Sequence, residues 1–292
     1  MKEEYIKVGR AIQNLGFYES LSVLKESGFL PLTEHVEIGE LFEVIETISY
    51  HNSEIGFFLS INFSSSVVSG FAQKIFTSNL KPDSLIFPYA DVCSDTIFLS
   101  SDGSAYFLNP KHIDFEYFDS LSLSLYRTKK ELNTEALKLK SHSRTNIENF
   151  LVPFYNLVIA YILGAVRRAA DASISYASER VQGGKPIINY FHVSEKISRM
   201  KEFIELISNA SKSFCSDIEK IIEKKDSADF SSVYQKIIHP LRYALRESEK
   251  ILSDSIQIHG GYGYMKDYHL EKYFRELRTI KSLIGDIIFT KF

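Results

Sequence analysis

The amino-acid sequence specifies a mainly α chain with a small β domain and a C-terminal four-helix bundle. Apolar residues at Ile38, Leu41, Phe42, Ile45 and Ile48 repeat at the spacing of one helix face. From Lys81 the pattern breaks into short apolar runs separated by turn residues, and from Thr145 long helical patterns return with short connections. A length of 292 residues accommodates two domains, or one multilayered domain, at roughly 100–200 residues each. The divisions read as a shortened N-terminal helical domain over 1–79, a shortened antiparallel β domain over 80–142 and the bundle over 143–292.

Taken along the chain, a second apolar helix is expected from Ile55 to Phe76, where Gly56, Ser64 to Ser66, Ser69 and Gly70 allow close backbone approach. Strands follow at LIFPY, TIFLSS, AYFL, IDFEYF and LSLSLY. Asp102-Gly103 marks a hairpin and Asn109-Pro110 the next reversal. The β region is expected to end near Leu139. At Thr145 the T-N-I-E sequence offers a capping box, and three helices should span Ile147 to Val181, Val193 to Lys224 and Phe230 to His259. A Gly-Gly-Lys-Pro turn and the polar stretch from Lys224 to Asp229 separate them, and Pro240 should kink or divide the third. A fourth helix is expected from Leu270 to Leu283.

Composition narrows the function. With 34 Lys and Arg against 37 Asp and Glu, there is no basic field to hold a nucleic acid. Cys93 and Cys215 are the two cysteines, too few for a stapled secreted fold, and the first residues, MKEEYIKVGR, hold no apolar signal core; both fit a reducing cytoplasm. Phe150 to Val166 runs for 17 residues without a charge. It falls short of the ~20 residues of a membrane span, contains Pro153 and Asn156, and continues into a polar helical pattern, so a buried bundle helix is expected and no membrane span. Of the scattered histidines, His259 and His269 lie near each other but not at a ligand spacing, so no metal site is expected.

Two segments carry unusual local chemistry. In YASERVQGGKPI, Tyr176 to Ile187, the glycines suit a helix C-cap and Pro186 ends the helix. Arg180 and Gln182 are left there with donors for an anionic or polar ligand. In QIHGGYGY, Gln257 to Tyr264, the glycines again suit a capping turn, while also leaving backbone open to a ligand.

Together with the continuation MKDYHLEKYFRELR, these segments resemble the C-terminal signatures of the acyl-CoA dehydrogenases: Tyr-Ala-x-x-Arg-x-Gln-Phe-Gly-x-Pro-Ile, then Gln-x-His-Gly-Gly-x-Gly-Tyr followed by an Arg-Asp pair. Their order and separation match, over Thr145 to Gly285, and LKESGFLPL with the helices after it, Leu24 to Gly70, is similar to the family's N-terminal domain. The resemblance implies an acyl-CoA dehydrogenase-like fold, dimers or tetramers, and FAD lying across a subunit boundary. By that likeness Arg180 and Gln182 hold flavin dinucleotide phosphates and neighbouring polar groups, and Gln257, Gly260 and Gly261 approach the FAD of the adjacent subunit. The implied chemistry is α,β-desaturation of an acyl thioester carried on coenzyme A or an acyl carrier protein, with a carboxylate taking the α-proton and flavin the hydride.

The departures are specific. Ile284 stands where the family's catalytic Glu precedes Gly285, and Phe154 and Tyr155 stand where some members place that base instead. Asp286 is the one carboxylate nearby, displaced by two positions, with the N-cap of a terminal turn as its simpler role. Gly183 replaces the family's Phe. The Thr-Glu-Pro-x-x-Gly-Ser-Asp strand has no counterpart between Phe76 and Phe87, and the first part of the helical domain and the usual C-terminal tail have none either. A divergent flavoprotein with impaired catalysis is therefore expected; the alternative is a non-catalytic structural subunit completing the FAD site of a homologous partner chain.

Overall fold

The computed structural model describes residues 2–31, 35–70, 74–118, 120, 123–129, 134–223 and 230–290. Four helices open the chain: α1 (Lys2–Ile12), α2 (Phe17–Glu26), α3 (Ile38–His51) and α4 (Ser53–Ser69). The apolar stripe of α3 is buried as its spacing predicts, with Ile38, Leu41, Phe42, Ile45 and Ile48 all inside. Every side chain of α4 from Ile55 to Ser66 is buried. Its serines tolerate this because Ser60, Ser64, Ser65 and Ser66 each donate to the carbonyl four residues back, at 2.6–3.0 Å. Gly56 brings α4 against α3, where a Cβ would lie 2.9 Å from Ser49 Cα. The helix stops at Gly70 in the left-handed conformation, φ 73°, earlier than the expected Phe76.

Phe76 instead opens the first strand, β1 (Phe76–Ser78), followed by β2 (Ile86–Pro88), β3 (Asp95–Leu99), β4 (Ser104–Leu108), β5 (Phe115–Phe118) and β6 (Leu125–Thr128). A short helix, α5 (Thr134–Lys140), precedes β7 (Ser143–Asn146). One sheet runs β1-β3-β4-β7 and the other β2-β6-β5. β1 lies parallel to β3, Phe76 opposite Asp95, so the first sheet is mixed where antiparallel pairing was expected, and β7 extends it past Leu139. The Asp102-Gly103 hairpin forms, with Leu99 opposite Ala105. Phe87, Phe98, Tyr106, Leu108 and Ile113 make a small core of their own among these strands.

The bundle consists of α6 (Ile147–Glu179), α7 (Phe191–Glu223), α8 (Ser231–His259) and α9 (Leu270–Thr290), with the hairpin β8 (Val181–Gln182) and β9 (Lys185–Pro186) between the first two. The cap of α6 is Asn146, whose Oδ1 accepts from Glu148 N at 3.0 Å, and not Thr145. α6 is long and apolar enough to cross a membrane by length and composition, yet 94% of its most apolar window is buried inside the fold. Gly164 lets it press against α3, where a Cβ would meet Glu46 O at 2.3 Å. Pro240 does not divide α8, which is continuous for 29 residues. The missing N–H costs one helix bond, and Ile237, Ile238, Leu241 and Ala244, buried on either side of it, hold the two turns in register. The polar stretch Lys224 to Asp229 lies outside the described residues. α9 continues to Thr290, beyond the expected Leu283.

Candidate functional site

The end of α6 sets the first wall. Arg180 leaves the helix with its N–H on Tyr176 O at 2.9 Å and its carbonyl accepting from Ile187 N at 2.8 Å. Val181 then pairs with Pro186 and Gln182 with Lys185. Gly183 and Gly184 have φ 55° and 82°, the pair of positive values that a two-residue hairpin turn requires. They close a β-hairpin, so the left-handed conformation expected of them serves a turn and not a helix cap. Tyr190 donates its hydroxyl to Gln182 O at 2.8 Å. A Cβ on residue 183 would lie 2.4 Å from that hydroxyl oxygen, so Tyr190 occupies the space beside the glycine.

The end of α8 sets the second. His259 is buried, its Nδ1 donating to Ser255 O at 2.8 Å, and its ring stacks on Tyr176 with centroids 4.5 Å apart. Burial pulls its pKa below the ordinary imidazole value, so it is a neutral strut joining the two motif segments. The helix stops at Gly260, φ 59°. A Cβ on Gly261 would meet nothing within 4 Å, which leaves that backbone approachable from outside.

Between the two walls lies a cleft of about 420 Å³ whose polar lining is Gln182, Tyr190, His192, Lys196 and Gln257. Ile187, Val193 and Ile258 form its apolar floor. Two of the residues singled out by sequence, Gln182 and Gln257, thus converge on one cavity. Lys196 Nζ donates to Gln257 Oε1 at 2.7 Å and pairs with Asp254, and Arg199 reaches the other Asp254 oxygen at 3.1 Å. Arg180, Gly260 and Gly261 are exposed outside the lining, and the Arg180 guanidinium has no hydrogen bond or ion pair among the described residues. Lys196 and His192 escaped the sequence reading, although Val193 and Lys196 are one helical turn apart at the start of α7.

The position of the expected base is different in kind. Ile284 is fully buried on α9, and so are Phe154 and Tyr155 on α6. Phe57 of α4 packs against Phe154 and Tyr161 at ring distances of 6.3 and 5.8 Å, so aromatics fill the contact between α4 and α6. Asp286 lies well inside α9, not at a helix start, which removes the N-cap role; its side chain falls outside the described residues.

A carboxylate the sequence reading passed over is Glu276, fully buried on α9. Ser53 Oγ donates to it, Lys272 Nζ lies 3.5 Å away, and Glu54 lies 3.7 Å from the same ammonium. Burial, opposed by Lys272, pushes its pKa up to about 7. The signal for it was present: it stands in the Arg-Asp position as Arg275-Glu276, beside the buried stripe of Tyr273, Leu277 and Ile280. Among the described residues no group of three or more His, Cys, Asp or Glu is placed to hold a metal ion.

Residues 156–286 match the family model for the acyl-CoA dehydrogenase C-terminal domain. Over 128 residues, 44% of this chain and 32% of the relative, the sequence is 31% identical to 3-(aryl)acrylate reductase of Clostridium sporogenes. The match therefore spans about a third of that relative's length. The structure aligns with butyryl-CoA dehydrogenase of Megasphaera elsdenii at a TM-score of 0.69 and 14% identity, covering 98% of this chain and 97% of that one. With a glutaryl-CoA dehydrogenase of Mycobacterium smegmatis in complex with FADH2 the TM-score is 0.71 at 13% identity, over 99% and 95% of the two chains. At those identities the two structures speak to the fold, which is that of the acyl-CoA dehydrogenases, and within it residues 156–286 match the C-terminal domain of that family.

Proposed function

We propose that the chain is an acyl-CoA dehydrogenase-like flavoprotein of acyl thioester metabolism, equipped to hold the nucleotide half of FAD and poorly equipped for α,β-desaturation. The observation that carries this is the convergence of Gln182 and Gln257 on one cleft. The cleft fits that half of the cofactor: carboxamides and a lysine stand with aliphatic side chains, Arg180, two residues before Gln182, is exposed and has no ion pair among the described residues, and the Gly260-Gly261 turn admits close approach. When bound, flavin supplies the acceptor for a hydride.

What the expected position lacks is a base. A positioned general base contributes ~10² to 10⁴-fold in rate, and the Ile284 side chain cannot accept a proton. An acyl thioester of coenzyme A or of a carrier protein would be oriented without losing its α-proton to this position. The second reading, a non-catalytic subunit completing the FAD site of a homologous partner, is favoured by the packing of Phe57, Phe154, Tyr155 and Ile284 into core. Expressing the chain alone and recording its visible absorbance, before and after FAD and then with saturated acyl-CoAs, tests both. Bound flavin that acyl-CoA bleaches slowly supports the first reading, colour acquired only with a homologous partner supports the second, and rapid bleaching refutes both.

A further inference from the structure

We propose that Lys196 is a positioning residue of the cleft: by holding Gln257 Oε1 it commits the Gln257 carboxamide to presenting N–H donors, and no acceptor, to a bound diphosphate. This rests on the nucleotide-holding role argued above and adds to it the residue that sets the polarity of the site. Lys196 and Arg199 are three residues apart on α7, Asp254 and Gln257 three apart on α8, and the two pairs face each other as a ladder. An ammonium group donates and cannot accept. The Gln257 atom at 2.7 Å from Nζ is therefore the oxygen, whichever way the amide is drawn. Nε2 is turned away from Lys196, with no partner among the described residues. Asp254 fixes the ammonium from the other side, and Arg199 fixes Asp254 in turn. The Lys196 and Asp254 side chains are 19% and 18% exposed, so this pairing is shielded from water and holds its geometry. Without the ammonium the amide can rotate, bringing its carbonyl oxygen against phosphate oxygens.

The test measures ADP binding to the full chain by calorimetry and FAD binding by flavin fluorescence, with the thermal midpoint of each variant recorded alongside. Lys196→Met should weaken ADP by about tenfold, the scale of one charge-assisted hydrogen bond, and Lys196→Arg, also a donor only, should restore it. In a Gln257→Leu background Lys196→Met should have no further effect, because the lysine acts through that amide. Gln257→Glu keeps the α7–α8 contact and turns the free atom from donor to acceptor, so it should lose ADP even where Lys196→Met fails to fold. Wild-type affinity in Lys196→Met or Gln257→Glu overturns the positioning role, as does a full effect of Lys196→Met in the Gln257→Leu background. A wild-type chain that binds neither ADP nor FAD refutes the nucleotide-holding reading itself and takes this proposal with it.

Discussion

Replacing Glu276 with glutamine should change how stability depends on pH more than it changes stability at any one acidic pH. The carboxyl ionises around 4.5 in the unfolded chain and at about 7 when folded. Burial is the first cause, and Glu54 adds to it, while Lys272 and Ser53 oppose it. The folded state holds the proton more tightly, so the contribution to stability is complete below about pH 4.5 and is lost as pH rises through about 7. A shift from 4.5 to about 7, at about 1.4 kcal/mol per unit, amounts to about 3 kcal/mol. Glutamine mimics the protonated form: its oxygen can still accept from Ser53, and Lys272 keeps Glu54. Urea unfolding of both proteins at steps from about pH 5 to about pH 8 isolates the effect, since His259 and His269, both lowered by burial, titrate alike in each. The difference should be small at the acid end and grow towards about 3 kcal/mol in favour of glutamine at the alkaline end. Two parallel profiles would refute the reasoning and mean that the carboxylate is ionised and paired throughout.

Ile284→Glu should not restore acyl-CoA-dependent flavin bleaching, because it buries an unpaired carboxylate at a fully covered position; it should cost ~3–5 kcal/mol in a denaturant titration. Rapid bleaching by the unaltered chain would instead direct attention to Asp286, through Asp286→Ala. Gly263→Ala should lower the thermal midpoint by several degrees, about 1–3 kcal/mol of overpacking, since the new Cβ would sit 2.6 Å from Ile256 O; an unchanged melt contradicts it. Light scattering should give a mass above one 33.5 kDa chain, because Phe191, Tyr264, Val181 and Tyr262 crowd the motif face at 82, 70, 58 and 50% exposure; a single-chain mass would count against an oligomer.

The long elements were legible because their signals are redundant. The α3 stripe, the Asp102-Gly103 turn and the long bundle helices each repeat their pattern over many residues. β1 was not, since Phe-Thr-Ser is too short to alternate and its pairing is with a strand almost twenty positions on. Gly70, the left-handed stop of α4, carries the same sequence signal as the small residues that let helices pack closely. In the site, the motif glutamines could be named in advance because a sequence pattern carries them. Lys196 could not, for its role exists only once α7 and α8 lie side by side. Glu276 was hidden by the opposite effect: a charged residue in an amphipathic helix is ordinarily placed in water, and here packing against α4 overrides that preference.

Asn146 belongs at once to the last strand of the first sheet, opposite Ser104, and to the cap of α6, and the next residue, Ile147, donates its N–H to Gly103 O at 3.0 Å. In mechanical terms this is a weld. No slack segment separates sheet from bundle, so torque applied to the strands passes into the opening turns of α6, where Phe150 and Phe154 stack 5.4 Å apart. The sheet cannot act as a swinging lid over the bundle from this joint. A short glycine insertion after Asn146 is the change that would turn the weld into a hinge.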